Sequence, residues 1–168
     1  MGLRLAEKTV WITGGSRGIG AACARAAAAE GAYVAISSRK EGPLAETAAT
    51  ISADFPGRVH AFPCHVGRPD ALAETWAAIE DRLGMPDVLL NNAATNPHFG
   101  PLLEAPRAMF EKTMEVNVLG PLEASRLVAT GLMDAERTGS IINVASIQGL
   151  LACAQQGVYG MSKAALIS

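Results

Sequence analysis

The stretch Thr9–Gly20, TVWITGGSRGIG, decides the fold. Its first five residues are mostly β-branched or aromatic, the make-up of a short strand buried on both faces. Its last eight, TGGSRGIG, form a glycine-rich turn. Glycine tolerates left-handed backbone and lets the main chain approach a ligand closely. GIGAACARAAAAEG then reads as a helix that opens among these glycines and stops at Gly31. A helix start presents unpaired N–H groups and a partial positive charge, which together suit an anion. Strand, glycine turn and helix in that order form the phosphate-holding end of a βαβ unit.

Outward from that unit the alternation continues. Strands are predicted at Tyr33–Ser37, near RVHAFP, at DVLL from Asp87 and at Ser140–Ala145. Helices are predicted from about Gly42 to Asp54 and from Asp70 to Leu83, and a long apolar-periodic segment spans Arg107 to Met133. The last residues begin another helix. Strand–helix repetition of this kind predicts an α/β fold: a Rossmann-type, doubly wound parallel sheet with right-handed crossovers. It would occupy residues 1–168 as one domain, stopping after the fifth strand and the start of the next helix. The irregular stretch Ala93–Pro106, AATNPHFGPLLEAP, follows the carboxyl end of the fourth strand. Open α/β sheets bind ligands at that end.

The chain has 168 residues, 49% of them hydrophobic, and a net charge of −2. That balance argues against a nucleic-acid or anionic-membrane partner, which needs a basic field. No apolar run is long enough to span a bilayer. Cys23, Cys64 and Cys153 are odd in number and widely spaced, so neither a disulfide framework nor a metal site is expected. Reduced thiols fit a cytoplasmic location, with a peroxisomal one left open.

The closing stretch VYGMSKAALIS places Tyr159 one helical turn before Lys163, on the same helix face. A phenol that trades protons near neutrality needs help, and a neighbouring ammonium favours its ionised form. Ser146, just after the fifth strand, offers a hydroxyl that could steady a developing alkoxide.

Three features together, TG-x-x-x-G-x-G (Gly14, Gly18, Gly20), NNAA (Asn91–Ala94) and Tyr159 with Lys163, resemble the short-chain dehydrogenases/reductases over the whole chain. The resemblance implies hydride transfer between a nicotinamide cofactor and a small carbonyl or secondary alcohol. It implies a catalytic set of Asn117, Ser146, Tyr159 and Lys163. Tyr159 would be the general acid/base and Ser146 would hold the carbonyl. Lys163 would also bind the nicotinamide ribose, and Asn117 would help hold a water that links Lys163 to solvent. The implied cofactor contacts are Gly14, Ser16, Arg17, Gly18, Ile19 and Gly20 at the turn, Ser38 and Arg39 after the second strand, and His65 and Val66 after the third. Asn92, Ala93, Tyr159 and Lys163 complete them.

The second strand runs into ISSRK with no acid before Glu41. An acid there would grip both adenosine-ribose hydroxyls and repel a 2′-phosphate. Ser38 and Arg39 instead suit that phosphate, with Arg17 as a second cation, so NADP(H) is expected over NAD(H). His65 stands where the family often has Asp, and Ala94 where it usually has Gly. ISSRK and CHVG together resemble the NADPH carbonyl-reductase branch of the family.

Family members run longer, so about the last third of such a protein is expected beyond Ser168. That third would carry two further strands and a lid over the substrate. A truncated, non-catalytic cofactor-binding fragment is therefore one alternative. A 3-oxoacyl-carrier-protein reductase is another, although no concentrated basic helix suggests a carrier-docking face. The full-length form is expected to be a homodimer or homotetramer.

Overall fold

The computed structural model describes residues 3–168. Five strands form one parallel sheet: β1 (Thr9–Thr13), β2 (Tyr33–Ser38), β3 (Val59–Pro63), β4 (Val88–Asn91) and β5 (Ser140–Asn143), in the order β3-β2-β1-β4-β5. β1 lies at the centre, with Ile12 level with Ile36 on one side and Leu90 on the other. The strand order reverses between β1 and β4, and a crevice opens at their carboxyl ends.

Alternation along β1 assigns its two faces. Val10 and Ile12 pack with Ala24 and Ala28 of α1 (Gly18–Ala29) and with Leu44 and Ile51 of α2 (Glu41–Asp54). Trp11 and Leu89 face the other way. They meet Leu72 and Ile79 of α3 (Pro69–Leu83) and Val128 and Leu132 of α5 (Gly120–Asp134). The sheet is thus covered on both sides, as doubly wound sheets are. Trp11 is fully buried, and its indole N–H donates to Ser37 Oγ at 3.1 Å. Such a partner is what makes a buried indole tolerable.

The amino ends of the strands are fastened by Asp87, which is 6% exposed. Its carboxylate accepts from Thr9 N–H (3.0 Å), Lys8 Nζ (3.0 Å) and Arg137 Nη2 (2.8 Å). Burial alone would raise its pKa. These donors outweigh that and hold it below the ordinary aspartate value.

The long segment expected at 107–133 is helical but not uniform. α4 (Arg107–Met114) passes into a π-helical turn at Glu115–Leu119 before α5 begins. Pro121 has no N–H to give the carbonyl of Asn117 four residues earlier, so the regular ladder cannot continue. Gly120 N–H bonds Glu115 O instead. A π turn often marks a functional position, and this one carries Asn117.

β5 is the sheet edge opposite β3, and all four of its residues are exposed. It is shorter than the expected Ser140–Ala145: Val144 N–H still donates to Asn91 O at 2.9 Å, and the pairing with β4 ends there. Among the described residues, no helix is long and apolar enough to cross a membrane.

Candidate active site

The loops at the carboxyl ends of β1, β2, β3 and β4 enclose a cleft of about 540 Å³. Gly14, Ser16, Arg17, Gly18 and Ile19 form its floor, Ser38 and Arg39 one end, His65 and Val66 one side, and Asn92 and Ala93 another. Gly20 lies beneath the turn rather than in the lining. A Cβ on it would stand 2.4 Å from Gly14 O and 2.6 Å from Asn92 Nδ2. Gly14 itself has φ +70°, a conformation that favours glycine.

The turn is braced from two directions. Asn92 Nδ2 donates to Thr13 O (2.9 Å) and Gly14 O (3.1 Å), while Thr13 Oγ1 accepts from the N–H groups of Asn92 and Ala93, each at 3.1 Å. Thr47 of α2 donates its hydroxyl to Ser16 O at 2.8 Å. The asparagine of the NNAA motif therefore shapes the turn through its side chain. The His65 ring is fixed too: Nδ1 accepts from Gly67 N–H at 3.1 Å, which leaves the proton on Nε2.

A dinucleotide fits this cleft on three grounds. The space a Cβ would fill at Gly14 and Gly20 is already taken by backbone, so the turn is held as a tight cradle of N–H groups. The buried Ser38 hydroxyl has no partner among the described residues. An orphan hydroxyl is costly unless a ligand completes it. Arg17, Arg39 and Lys40 line the same cleft, the charge expected for a phosphorylated ligand.

A second cleft, of about 440 Å³, shares Ala94 and Thr95 with the first. Asn96, Ser146, Gln148, Gln156 and Tyr159 complete it. Ser146 caps a short 3-10 turn at Ile147–Gly149, where its Oγ accepts from Gln148 N–H at 3.2 Å and keeps its own proton free to donate. Tyr159 lies on α6 (Gly157–Ile167).

Behind Tyr159, Lys163 is 2% exposed, with Nζ 5.7 Å from the phenol ring centre. It donates to Val144 O at 2.7 Å, and burial lowers its pKa from the ordinary lysine value. Asn117 is fully buried. Its Oδ1 accepts from Thr95 N–H (2.8 Å), and its Nδ2 donates to Thr95 O and to Ser162 Oγ (2.9 Å each). Tyr159 and Ser146 thus meet in one cleft, whereas Lys163 and Asn117 support it from behind without lining it. His98, in the loop after β4, bonds Pro101 O and lines neither cleft.

Sequence reasoning overlooked Thr13, Thr47, Ser162, Lys40, Gln148 and Gln156. Lys40 closes the ISSRK stretch, and Ser162 directly precedes Lys163, so adjacency was a usable signal for those two. The others depend on contacts that only folding creates.

The sequence profile of the short chain dehydrogenase family matches residues 8–168. Dehydrogenase/reductase SDR family member 4 of Pongo abelii is 33% identical over 163 residues, covering 97% of this chain and 58% of that protein. The chain thus spans little more than half the length of such a relative. A metagenomic short-chain oxidoreductase, solved in complex with NADP, superposes with a TM-score of 0.90 at 33% identity, covering 97% of this chain and 73% of that one. A short-chain dehydrogenase/reductase from Burkholderia phymatum, solved in complex with NAD, gives 0.92 at 28% identity, with coverages of 97% and 57%.

Proposed function

The chain belongs to the short-chain dehydrogenase family, and from that premise we propose that it reduces a carbonyl, or oxidises the corresponding secondary alcohol, with NADP(H). The observation that carries this reading is the placement of Tyr159 and Ser146 in a cleft that shares its Ala94–Thr95 wall with the glycine-turn cleft, with the ammonium of Lys163 buried behind the phenol.

A bound nicotinamide cofactor supplies or accepts the hydride. Everything else falls to the chain. Gly14, Ser16, Arg17, Gly18 and Ile19 hold the pyrophosphate, and Gly20 keeps the turn tight beneath them. Ser38 and Arg39, helped by Arg17, take the 2′-phosphate, which favours NADP(H). His65 offers Nε2–H to the adenine end beside Val66, and Asn92 and Ala93 wall the opposite side.

In the reducing direction the Ser146 hydroxyl donates to the substrate oxygen and holds the carbonyl in place. As negative charge develops on that oxygen, the Tyr159 hydroxyl transfers its proton to it. The Lys163 ammonium stabilises the phenolate left behind. Asn117, locked to Thr95 and α6, keeps these groups in register. The exposed apolar residues Met109, Phe110, Leu119, Leu122 and Met161 support assembly into homodimers or homotetramers through α4, α5 and α6.

The test is oxidation of NADPH and NADH against diketones, quinones, aldehydes and 3-oxoacyl thioesters. Turnover on at least one class, faster with NADPH, is the expected result. Tight cofactor binding without turnover on any of them would contradict the enzymatic reading and favour a binding module.

A further inference from the structure

We infer that Ser162 is a positioning residue, whose hydroxyl locks the Tyr159 turn of α6 to the loop that walls both clefts. The inference rests on Tyr159 being the proton donor proposed above. Ser162 is 0% exposed and touches neither cleft. Its hydroxyl donates to the carbonyl of Tyr159 at 2.7 Å and accepts from Asn117 Nδ2 at 2.9 Å. Asn117 in turn clasps the backbone of Thr95 from both sides, accepting from its N–H and donating to its carbonyl. Thr95 lines the glycine-turn cleft and the Tyr159 cleft alike.

One buried chain of bonds therefore runs from the residue bearing the phenol, through Ser162 and Asn117, to the wall shared by cofactor and substrate. Three separate segments meet in it: α6, the π turn and the loop after β4. Ser162 is the link between the first and the other two. A serine inside a helix commonly bonds the carbonyl three or four residues back, and that bond alone bends a helix slightly. Here the same oxygen also accepts from a neighbouring segment, so the turn carrying Tyr159 is set against an external reference. Lys163 adjoins Ser162 and donates to Val144 O at the end of β5, which fixes the next position of the helix.

The perturbation is Ser162→Ala. It removes one oxygen and adds no bulk; Asn117 Nδ2 keeps Thr95 O as a partner, while its second N–H loses its acceptor and releases α6 from Asn117. Proton transfer tolerates little misplacement of the donor, so kcat is expected to fall at least about tenfold. The dissociation constant for NADPH, read by fluorescence, should stay within about twofold, because every cofactor contact remains. Hydrogen exchange of the Thr95 amide should accelerate at least about tenfold, while the amide of Ala35 in the sheet core is unchanged. Ser162→Cys, which keeps a weak donor and acceptor, should recover part of both effects.

A kcat within twofold of the parent would overturn the inference. So would a Thr95 amide that exchanges as before, or one whose acceleration is matched at Ala35. If the parent chain turns over no carbonyl substrate, the enzymatic reading fails on its own. The Thr95 exchange in Ser162→Ala then decides the link alone: local acceleration supports it and unchanged exchange refutes it.

Discussion

Gly20→Ala sets two opposed effects against each other within one residue. Alanine has the better helix propensity, and in a helix interior the exchange would gain about 0.5–1 kcal/mol. Gly20 lies in the first turn of α1, where that gain is smaller. Against it, the new methyl would stand 2.4 Å from Gly14 O and 2.6 Å from Asn92 Nδ2, both far inside contact distance. Relieving such overpacking costs about 1–3 kcal/mol. Moving Asn92 also weakens its bonds to Thr13 O and Gly14 O, at about 0.5–1.5 kcal/mol each. The steric side therefore wins by roughly 1–6 kcal/mol after the helical gain is subtracted. In a domain of this size that lowers Tm by at least roughly 2 °C, and by up to roughly 20 °C if both bonds are lost.

The strain falls on the loop proposed to cradle the pyrophosphate, so NADPH affinity should weaken by about tenfold or more, equivalent to some 1.4 kcal/mol. Thermal unfolding followed by circular dichroism gives the first quantity and fluorescence titration the second. A Tm at or above the parent's, with unchanged affinity, would show that the turn yields easily and that its packing does not shape the site.

Asp87→Ala removes the fastening of the strand ends and leaves Thr9 N–H, at a 4%-exposed residue, without its partner. An orphaned buried donor costs about 1–3 kcal/mol, and the two half-exposed cations add at most about 1 each. Because the folded-state pKa of Asp87 lies below the ordinary 3.8, its contribution is complete above that value and disappears as pH falls through the folded-state pKa. The Tm gap between parent and variant should therefore be widest near neutrality and close on acidification below 3.8; a gap independent of pH would refute the assignment. Arg39→Ala should weaken NADPH binding about tenfold, consistent with one lost charged contact, and leave NADH binding within about twofold. Equal losses for both cofactors would remove Arg39 from the 2′-phosphate site.

The sheet and the glycine turn were legible because their signals are local. TVWIT is apolar at its centre and buried throughout, and the glycines sit where a positive φ and a close backbone approach demand them. Tyr159 and Lys163 stand out as candidates by their spacing of one helical turn, whereas Ser146 enters with its role through the family resemblance. Periodicity alone does not reveal the π turn, although Pro121 within a helical pattern carries the physical reason for it. The braces of the turn were hidden for a different cause. Thr13 and Asn92 are 79 positions apart, and Thr47 and Ser16 are 31 apart, so only the parallel sheet and the packing of α2 bring them together. Asn117 is a candidate through the family resemblance alone, and its partners Thr95 and Ser162 are set by how three segments meet. SIIN is apolar enough to read as a central strand, yet with no further strand beside it among the described residues β5 stands at the sheet edge with all four residues exposed.

Tyr159 as the proton donor is the central claim. The most direct measurement is steady-state NADPH oxidation by the parent chain and by Tyr159→Phe, on the best substrate of the carbonyl panel, with cofactor affinity measured on both. General acid catalysis contributes about 10²–10⁴-fold, so kcat should fall by at least about 10² while NADPH affinity stays within about twofold. A Tyr159→Phe chain that turns over as fast as the parent would contradict the claim outright.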